Sequence, residues 1–237
     1  MPNFIPLWPT GPRFAESPHF KLSTDSILLA DFINISQAKR GIDLGCGSGI
    51  ISLLLLSRSE KLCMTGLEIN PEAADSAKAN MAENGLSERA EIITGDIRQH
   101  RELFRAGSFD LVAANPPYFP ENSGRMPPKS DRAAARGELQ CTLRELCEAA
   151  AFLLKTGGSF SLVHRSERLS ELLCTMSECG LEPKRLRLVQ HRISSAPSLV
   201  LAEGRRGGKP GLKMEPTLLL ADENGLETEE YRKIYHR

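Results

Sequence analysis

At 237 residues with 41% hydrophobic content, the chain is long enough to bury a sizeable core in a single α/β domain with short additions. Thirty Lys and Arg balance thirty Asp and Glu, which excludes a strongly basic nucleic-acid coat. No uninterrupted apolar run reaches the length of a membrane span and the N-terminus has no secretory pattern, so the expected location is the cytoplasm.

The first 38 or so residues read as a short N-terminal extension of one domain spanning 1–237. The first informative stretch is Gly41-Ile-Asp43-Leu-Gly45-Cys46-Gly47-Ser-Gly49, followed by the apolar run 50–56. An apolar residue before Asp43, three alternating glycines and a long apolar run fit strand, tight loop and helix, the helix covering 50–57. Glycine lets a backbone approach a ligand without interference from a Cβ. The spacing is not that of a dinucleotide fingerprint, and it suits a ligand without a pyrophosphate. Cys46 lies inside this loop, where a reactive role and a space-filling role are both open.

A second strand over 62–67 ends at Glu68, where a carboxylate can accept both hydroxyls of a ribose. Pro71 suits a first helical turn and Gly85 a helix end, so a helix is predicted over 71–84, with Ala74, Ala77 and Met81 on one face. The third strand, 90–94, runs into Gly95-Asp96-Ile97, where a carboxylate can receive an adenine amino group beside an apolar contact. Taken singly, each carboxylate is more often a solvated loop residue or a helix cap. At successive strand ends in this order they outline an adenosine site.

The apolar run 111–114 stops at Asn115-Pro116-Pro117-Tyr118-Phe119. Two consecutive prolines cannot extend a ladder, so the chain turns out there, at the strand edge where open α/β sheets bind ligands. The Asn115 side-chain carbonyl and the Pro116 backbone carbonyl are both acceptors. Together they can take the two hydrogens of a planar amino group while Tyr118 stacks on the attached ring. Such an amine is a poor nucleophile because its lone pair is delocalised. Holding its hydrogens points that lone pair at an electrophile, which is catalysis by orientation and electrostatics. Phe119 reads equally well as pocket lining or as core.

Beyond this motif, residues 121–131, with Gly124, Pro127 and Pro128 among polar side chains, read as a flap. A helix over 139–155, the pair Gly157-Gly158, a fifth strand over 159–163 and a helix over 166–179 follow. Two strands over 185–191 and 198–202 have no helix between them and suggest a closing antiparallel hairpin. The six cysteines form no C-x-x-C pair and no histidine stands at zinc spacing, so neither a disulfide framework nor a metal is expected.

These motifs, in this order, resemble those of class I S-adenosylmethionine-dependent methyltransferases that modify exocyclic or amide nitrogens. Within that group the chain resembles the bacterial tRNA1(Val) (adenine-37-N6)-methyltransferase family over nearly its full length. The likeness includes Phe20-Lys-Leu-Ser-Thr24-Asp25-Ser, Arg132-Ala-Ala-Ala-Arg136, Lys155-Thr-Gly157-Gly158 and Glu229-Glu-Tyr-Arg-Lys-Ile-Tyr235. It implies a doubly wound Rossmann-like α/β sheet of strand order 3-2-1-4-5-7-6 with the last strand antiparallel, the cofactor S-adenosyl-L-methionine, and tRNA as partner. It also implies cofactor contacts from Asp43, Gly45, Cys46, Gly47 and Gly49, from Glu68 with Ile69, from Asp96 with Ile97, and from Asn115. Asn115, Pro116, Pro117 and Tyr118 would hold the target base. Oligomeric state is not fixed by the sequence.

The rival readings are methylation of a protein glutamine, whose carboxamide presents the same two hydrogens, and methylation of an amino group in rRNA or DNA. A non-catalytic RNA-binding module is the rival from another class. Against the first stands the short extension before the glycine loop, and local charge favours RNA. Residues 180–215 hold eight basic side chains against three acidic ones, and Arg125, Lys129, Arg132 and Arg136 follow the Asn-Pro-Pro-Tyr motif. The expectation is that both segments face one side and grip RNA phosphates, with Arg132, Arg136, Arg192, Arg205, Arg206 and Lys209 as contacts and a glycine-rich mobile loop over 205–213.

Overall fold

A computed structural model describes residues 2–16, 22–116 and 141–236. The chain opens with a small antiparallel pair, β1 (Ile5–Pro6) and β2 (Arg13–Phe14), and a helix α1 (Thr24–Phe32). Ser23 caps α1, its hydroxyl accepting from the Ser26 N–H, and Ile27, Leu28, Leu29 and Phe32 are buried. The doubly wound part then alternates β3 (Arg40–Leu44), α2 (Ile50–Ser57), β4 (Cys63–Glu68), α3 (Pro71–Glu83), β5 (Ala90–Thr94), α4 (His100–Leu103) and β6 (Phe109–Ala114). After the next described residues come α5 (Leu143–Leu153), β7 (Leu154–Arg165), α6 (Leu169–Glu178), β8 (Leu181–Gln190) and β9 (Pro197–Arg206). Two short strands, β10 (Lys213–Met214) and β11 (Leu218–Leu219), and a helix α7 (Glu229–Ile234) close the chain.

Local chemistry explains these boundaries. The apolar residues of α2 are buried all round, so it is a core helix and not an amphipathic one. In α3 the Asn70 side chain accepts from the N–H groups of Glu72 and Ala73, Pro71 occupies the first turn, and Gly85 at φ +66° ends the helix. A reciprocal capping box starts α5: the Thr142 hydroxyl accepts from the Glu145 N–H at 3.1 Å, and the Glu145 carboxylate accepts from the Thr142 N–H at 2.7 Å.

The large sheet has the order β10-β8-β9-β7-β6-β3-β4-β5, with β11 also on β8. Counting only the seven main strands, this is the 3-2-1-4-5-7-6 order, and β9 runs antiparallel to both its neighbours. Successive β6 residues face opposite sides: Leu111 and Ala113 join the cluster of α1 and α2, while Val112 and Ala114 join that of α5 and α6. The buried apolar residues lie in these two layers, one on each face of the sheet.

Three expectations change. The predicted helix 139–155 and strand 159–163 meet without a loop, because β7 starts at Leu154, one residue after α5. Gly157, at φ +81°, and Gly158 lie inside that strand where its register with β6 shifts, so the glycine pair sits in an irregularity of β7 and not in a separate loop. A Cβ on Gly158 would come within 2.9 Å of the Lys155 carbonyl, which is why glycine stands there. The hairpin strands are longer than predicted, and Arg205 and Arg206 belong to β9 instead of a mobile loop. No helix among the described residues is long and apolar enough to cross a membrane.

Candidate active site

Four strand ends build one shelf. Leu44 is level with Leu67, and Glu68 with Thr94, so the residues that follow β3, β4 and β5 emerge together, with Asn115 beyond β6 beside them. Between β3 and β6 the strand order reverses, which is where open α/β sheets leave a crevice for ligands.

The glycine loop is held from below. Gly45 and Cys46 donate their N–H groups to the Leu67 carbonyl at 2.8 and 3.2 Å, and the Gly47 N–H donates to Glu68 Oε2 at 2.8 Å. The other Glu68 oxygen accepts from the Asn70 N–H at 2.9 Å, so one buried carboxylate ties the loop to the end of β4. Gly45, Gly47 and Gly49 all have positive φ, at +73°, +54° and +82°. A Cβ on Gly45 would meet nothing within 4 Å among the described residues, whereas one on Gly49 would sit 3.1 Å from the Ala77 Cβ. The first glycine thus leaves room for a ligand and the last allows α3 to approach.

Asp43 is fully buried beneath the loop. Its Oδ2 accepts from the Ser52 hydroxyl at 3.3 Å, and its Oδ1 has no partner among the described residues. Burial pushes its carboxyl up to about 7; the Ser52 hydrogen bonds oppose the rise and the nearby Glu68 carboxylate adds to it. Cys46 fills the space over Gly66, where a Cβ would come within 2.7 Å of its sulfur. Burial, with Asp43 and Glu68 adding, keeps its thiol protonated, so the space-filling reading describes its place and the reactive one has no support.

Asp96 caps the short turn after β5, accepting from the Arg98 N–H at 2.9 Å. The Arg98 guanidinium also grips its carboxylate, Nε lying 3.0 and 2.9 Å from the two oxygens, and this bond holds the carboxyl below the usual range. A carboxylate has about four acceptor sites, so the pairing leaves capacity for an adenine amino group. Beside it Ile69 is exposed and Ile97 half-buried, two apolar side chains flanking the same shelf. Asn115 is half-buried, and its Nδ2 donates to Ser26 Oγ at 2.9 Å and Ser23 Oγ at 3.4 Å. Pro116 is the last described residue of the motif; Pro117, Tyr118, Phe119, the 121–131 segment, Arg132 and Arg136 lie outside the described residues.

Among the described basic side chains expected to grip RNA, only Arg192 stands at this edge. It is exposed, in the turn between β8 and β9. Arg205 is level with Ser159, which is level with Leu111 at the amino end of the parallel strands. Four residues of extended chain separate that level from Asn115, about 13 Å along the strands, and β7 lies between β9 and β6 laterally. Because β9 is antiparallel, Arg205, Arg206 and Lys209 lie toward the far edge from the glycine loop. Arg206 is also occupied, donating to the Phe152 and Leu154 carbonyls. Arg185 is drawn into ion pairs with Glu203 and Glu215 and stacks over Phe32, and Arg187 pairs with Glu230. Arg205, Arg206 and Lys209 thus stand away from the glycine-loop edge, while Arg132 and Arg136 lie outside the described residues.

Sequence reasoning missed Ser23, Ser26, Arg98 and a pair of asparagines. On α3, Asn80 accepts from the Ala15 N–H at 2.8 Å and donates to the Ala15 and Ser48 carbonyls, lashing the N-terminal segment to the glycine loop. One turn on, Asn84 makes the same two-way bond to Arg13. An Asn on the otherwise apolar face of Ala74, Ala77 and Met81 was the available signal. Among the described residues no group of His, Cys, Asp or Glu could hold a metal ion.

The fold agrees with solved methyltransferases. A predicted O-methyltransferase from Agrobacterium tumefaciens matches with a TM-score of 0.72 at 20% identity, covering 90% of this chain and 96% of that one. TrmN from Thermus thermophilus matches at 0.54 and 16% identity, covering 76% of this chain and 48% of that one. Fold and strand-end constellation define a class I S-adenosylmethionine-dependent methyltransferase.

The sequence comparisons are narrower. Residues 19–178 match the family described as "Methyltransferase small domain". The tRNA1(Val) (adenine(37)-N6)-methyltransferase of Tolumonas auensis is 33% identical over 89% of this chain and 86% of its own length. The enzyme of the same name from Porphyromonas gingivalis is 32% identical over 78% of this chain and 74% of its own. The chain belongs to this methyltransferase small-domain family, among the tRNA1(Val) (adenine(37)-N6)-methyltransferases.

Proposed function

We propose that the protein methylates the N6 amino group of an adenosine in tRNA, at position 37 beside the anticodon, and that Asn115 orients that amine. The observation that carries the reading is the placement of Asn115 at the switch point, on the same shelf as the glycine loop, Glu68 and Asp96. The site fits S-adenosylmethionine: an open face over Gly45, a buried acidic oxygen under the loop and two flanking apolar side chains suit a cationic amino acid joined to an adenosine. When bound, that cofactor supplies an electrophilic methyl group on sulfur.

The chain's own residues do the rest. The Asn115 side-chain carbonyl and the Pro116 carbonyl accept the two amino hydrogens, and Tyr118 stacks on the adenine once it has left its helical stack. Glu68 is assigned to the ribose hydroxyls and Asp96 to the cofactor's adenine. The proton released from N6 passes to water. Arg192 is assigned to tRNA phosphates, with Arg132 and Arg136 assigned by sequence alone, and the cytoplasm is the place of action this substrate implies.

The test is transfer of labelled methyl from S-adenosylmethionine to total unmodified tRNA, followed by nucleoside analysis, beside a parallel reaction on a release-factor protein. Label recovered as N6-methyladenosine is the expected result. Label on protein glutamine would replace this reading with the rival one.

A further inference from the structure

The hydroxyls of Ser23 and Ser26 sit 92 and 89 residues from Asn115 in sequence and meet its side chain in space. We propose that Ser26, supported by Ser23, is a positioning residue that sets which end of the Asn115 carboxamide faces the target amine; this rests on the proposed role of Asn115 as acceptor.

A carboxamide has two ends of nearly the same shape, and the Asn χ2 torsion is broad, so packing alone does not choose between them. With the carbonyl toward the substrate, an acceptor meets an amino hydrogen. With the ends exchanged, one NH2 group meets another and the lone pair of N6 is not exposed to the methyl group. Turnover therefore needs a local bias.

The hydroxyl pair supplies it. Ser23 Oγ donates its one proton to Ser26 Oγ at 3.0 Å and accepts from the Ser26 N–H at 3.2 Å, so toward Asn115 it offers only lone pairs. Asn115 Nδ2 lies 2.9 Å from Ser26 Oγ and 3.4 Å from Ser23 Oγ. An amide oxygen in the same place could accept the Ser26 proton but would face the Ser23 lone pairs, whereas the NH2 end is matched to both oxygens. The NH2 end is thus drawn to α1 and the carbonyl end is turned away from it. Donation from Nδ2 also polarises the amide and makes its carbonyl a better acceptor. Ser26 is buried, and the neighbouring Ile27, Leu28 and Leu29 are buried in the core, so the two oxygens are held rigidly.

The test compares Ser26→Ala and Ser26→Thr with wild type, alone and combined with Asn115→Ala, under single-turnover conditions at a temperature where every variant is folded. Ser26→Ala should lower the methyl-transfer rate about tenfold, the scale of losing a supporting hydrogen bond behind a reacting group. Its affinity for S-adenosylmethionine should be unchanged, Ser26→Thr should recover most of the rate, and Ser26→Ala should cause no further loss once Asn115 is already Ala. Wild-type turnover by Ser26→Ala beside an impaired Asn115→Ala would overturn this inference and leave the role of Asn115 standing. Equal further loss in the Asn115→Ala background, or a matching loss of cofactor affinity, would reduce Ser26 to a structural residue. Near-normal turnover by Asn115→Ala would remove the reading on which both rest.

Discussion

The carboxyl edge of β3 to β6 and the β8–β9 hairpin both carry charged side chains, yet the fold uses them in opposite ways. At the edge, Glu68 and Asp43 sit beneath a loop whose glycines leave one face open, and their interactions shape a site. In the hairpin, Arg185, Arg187 and Arg206 are bound to carboxylates and carbonyls of their own chain, and Arg205 lies toward the edge of the sheet opposite the glycine loop. Charge counted along a sequence says little about recognition until strand direction is known. In the antiparallel strand, every residue beyond Leu201 moves away from the level of Asn115.

The sharpest way to break this comparison is at the edge itself. Asn115→Ala should lower the transfer rate by about 100- to 1000-fold, the range for removing one preorganised partner of a reacting group, with cofactor affinity intact in calorimetry. Glu68→Ala should weaken cofactor binding by at least about tenfold, because it deletes a proposed ribose acceptor and leaves the buried Gly47 N–H without its partner. In the hairpin, Arg206→Ala should act on stability, costing about 2 kcal/mol in denaturant unfolding through the lost charged hydrogen bonds to Phe152 and Leu154, with tRNA affinity unchanged. Charge reversal separates the two edges more gently: Arg192→Glu should weaken tRNA binding several-fold and flatten its salt dependence, while Arg205→Glu should do neither.

The smallest effect is a pH dependence. Asp43 titrates near 7 in the folded protein and near 3.8 when unfolded, so between those values the folded state holds the extra proton. Its contribution to stability is then greatest at the acid end, falls as pH rises through that window and is level above it. Asp43→Asn should flatten this part of the stability curve of the cofactor-free protein, as followed by thermal unfolding between pH 5 and 8; an unaltered slope would show that another group carries it.

Much of the edge was legible because its chemistry is local. Gly-x-Gly-x-Gly, Pro71, Gly85 and the double proline each restrict the backbone within a few residues, and the strands and helices they punctuate stand where the sequence places them. What was not legible depends on pairing at a distance. The α1 run is short and apolar, which does not distinguish helix from strand. Gly157-Gly158 reads as the stretch between a helix and a strand until β6 is alongside to place it inside β7. Neither Ser26 nor Asn80 announces its partner, since Asn115 and Ala15 are 89 and 65 residues away. The placement of the basic hairpin was not legible for the same reason: its charge is local, but its direction is set by the sheet.

The most direct test of the central claim is methyl transfer to two forms of an unmodified tRNA1(Val) transcript, one with adenosine at position 37 and one with guanosine there, each digested and its methylated nucleosides measured. The account predicts N6-methyladenosine from the first and none from the second. Equal labelling of both, or label in any other nucleoside, would contradict it.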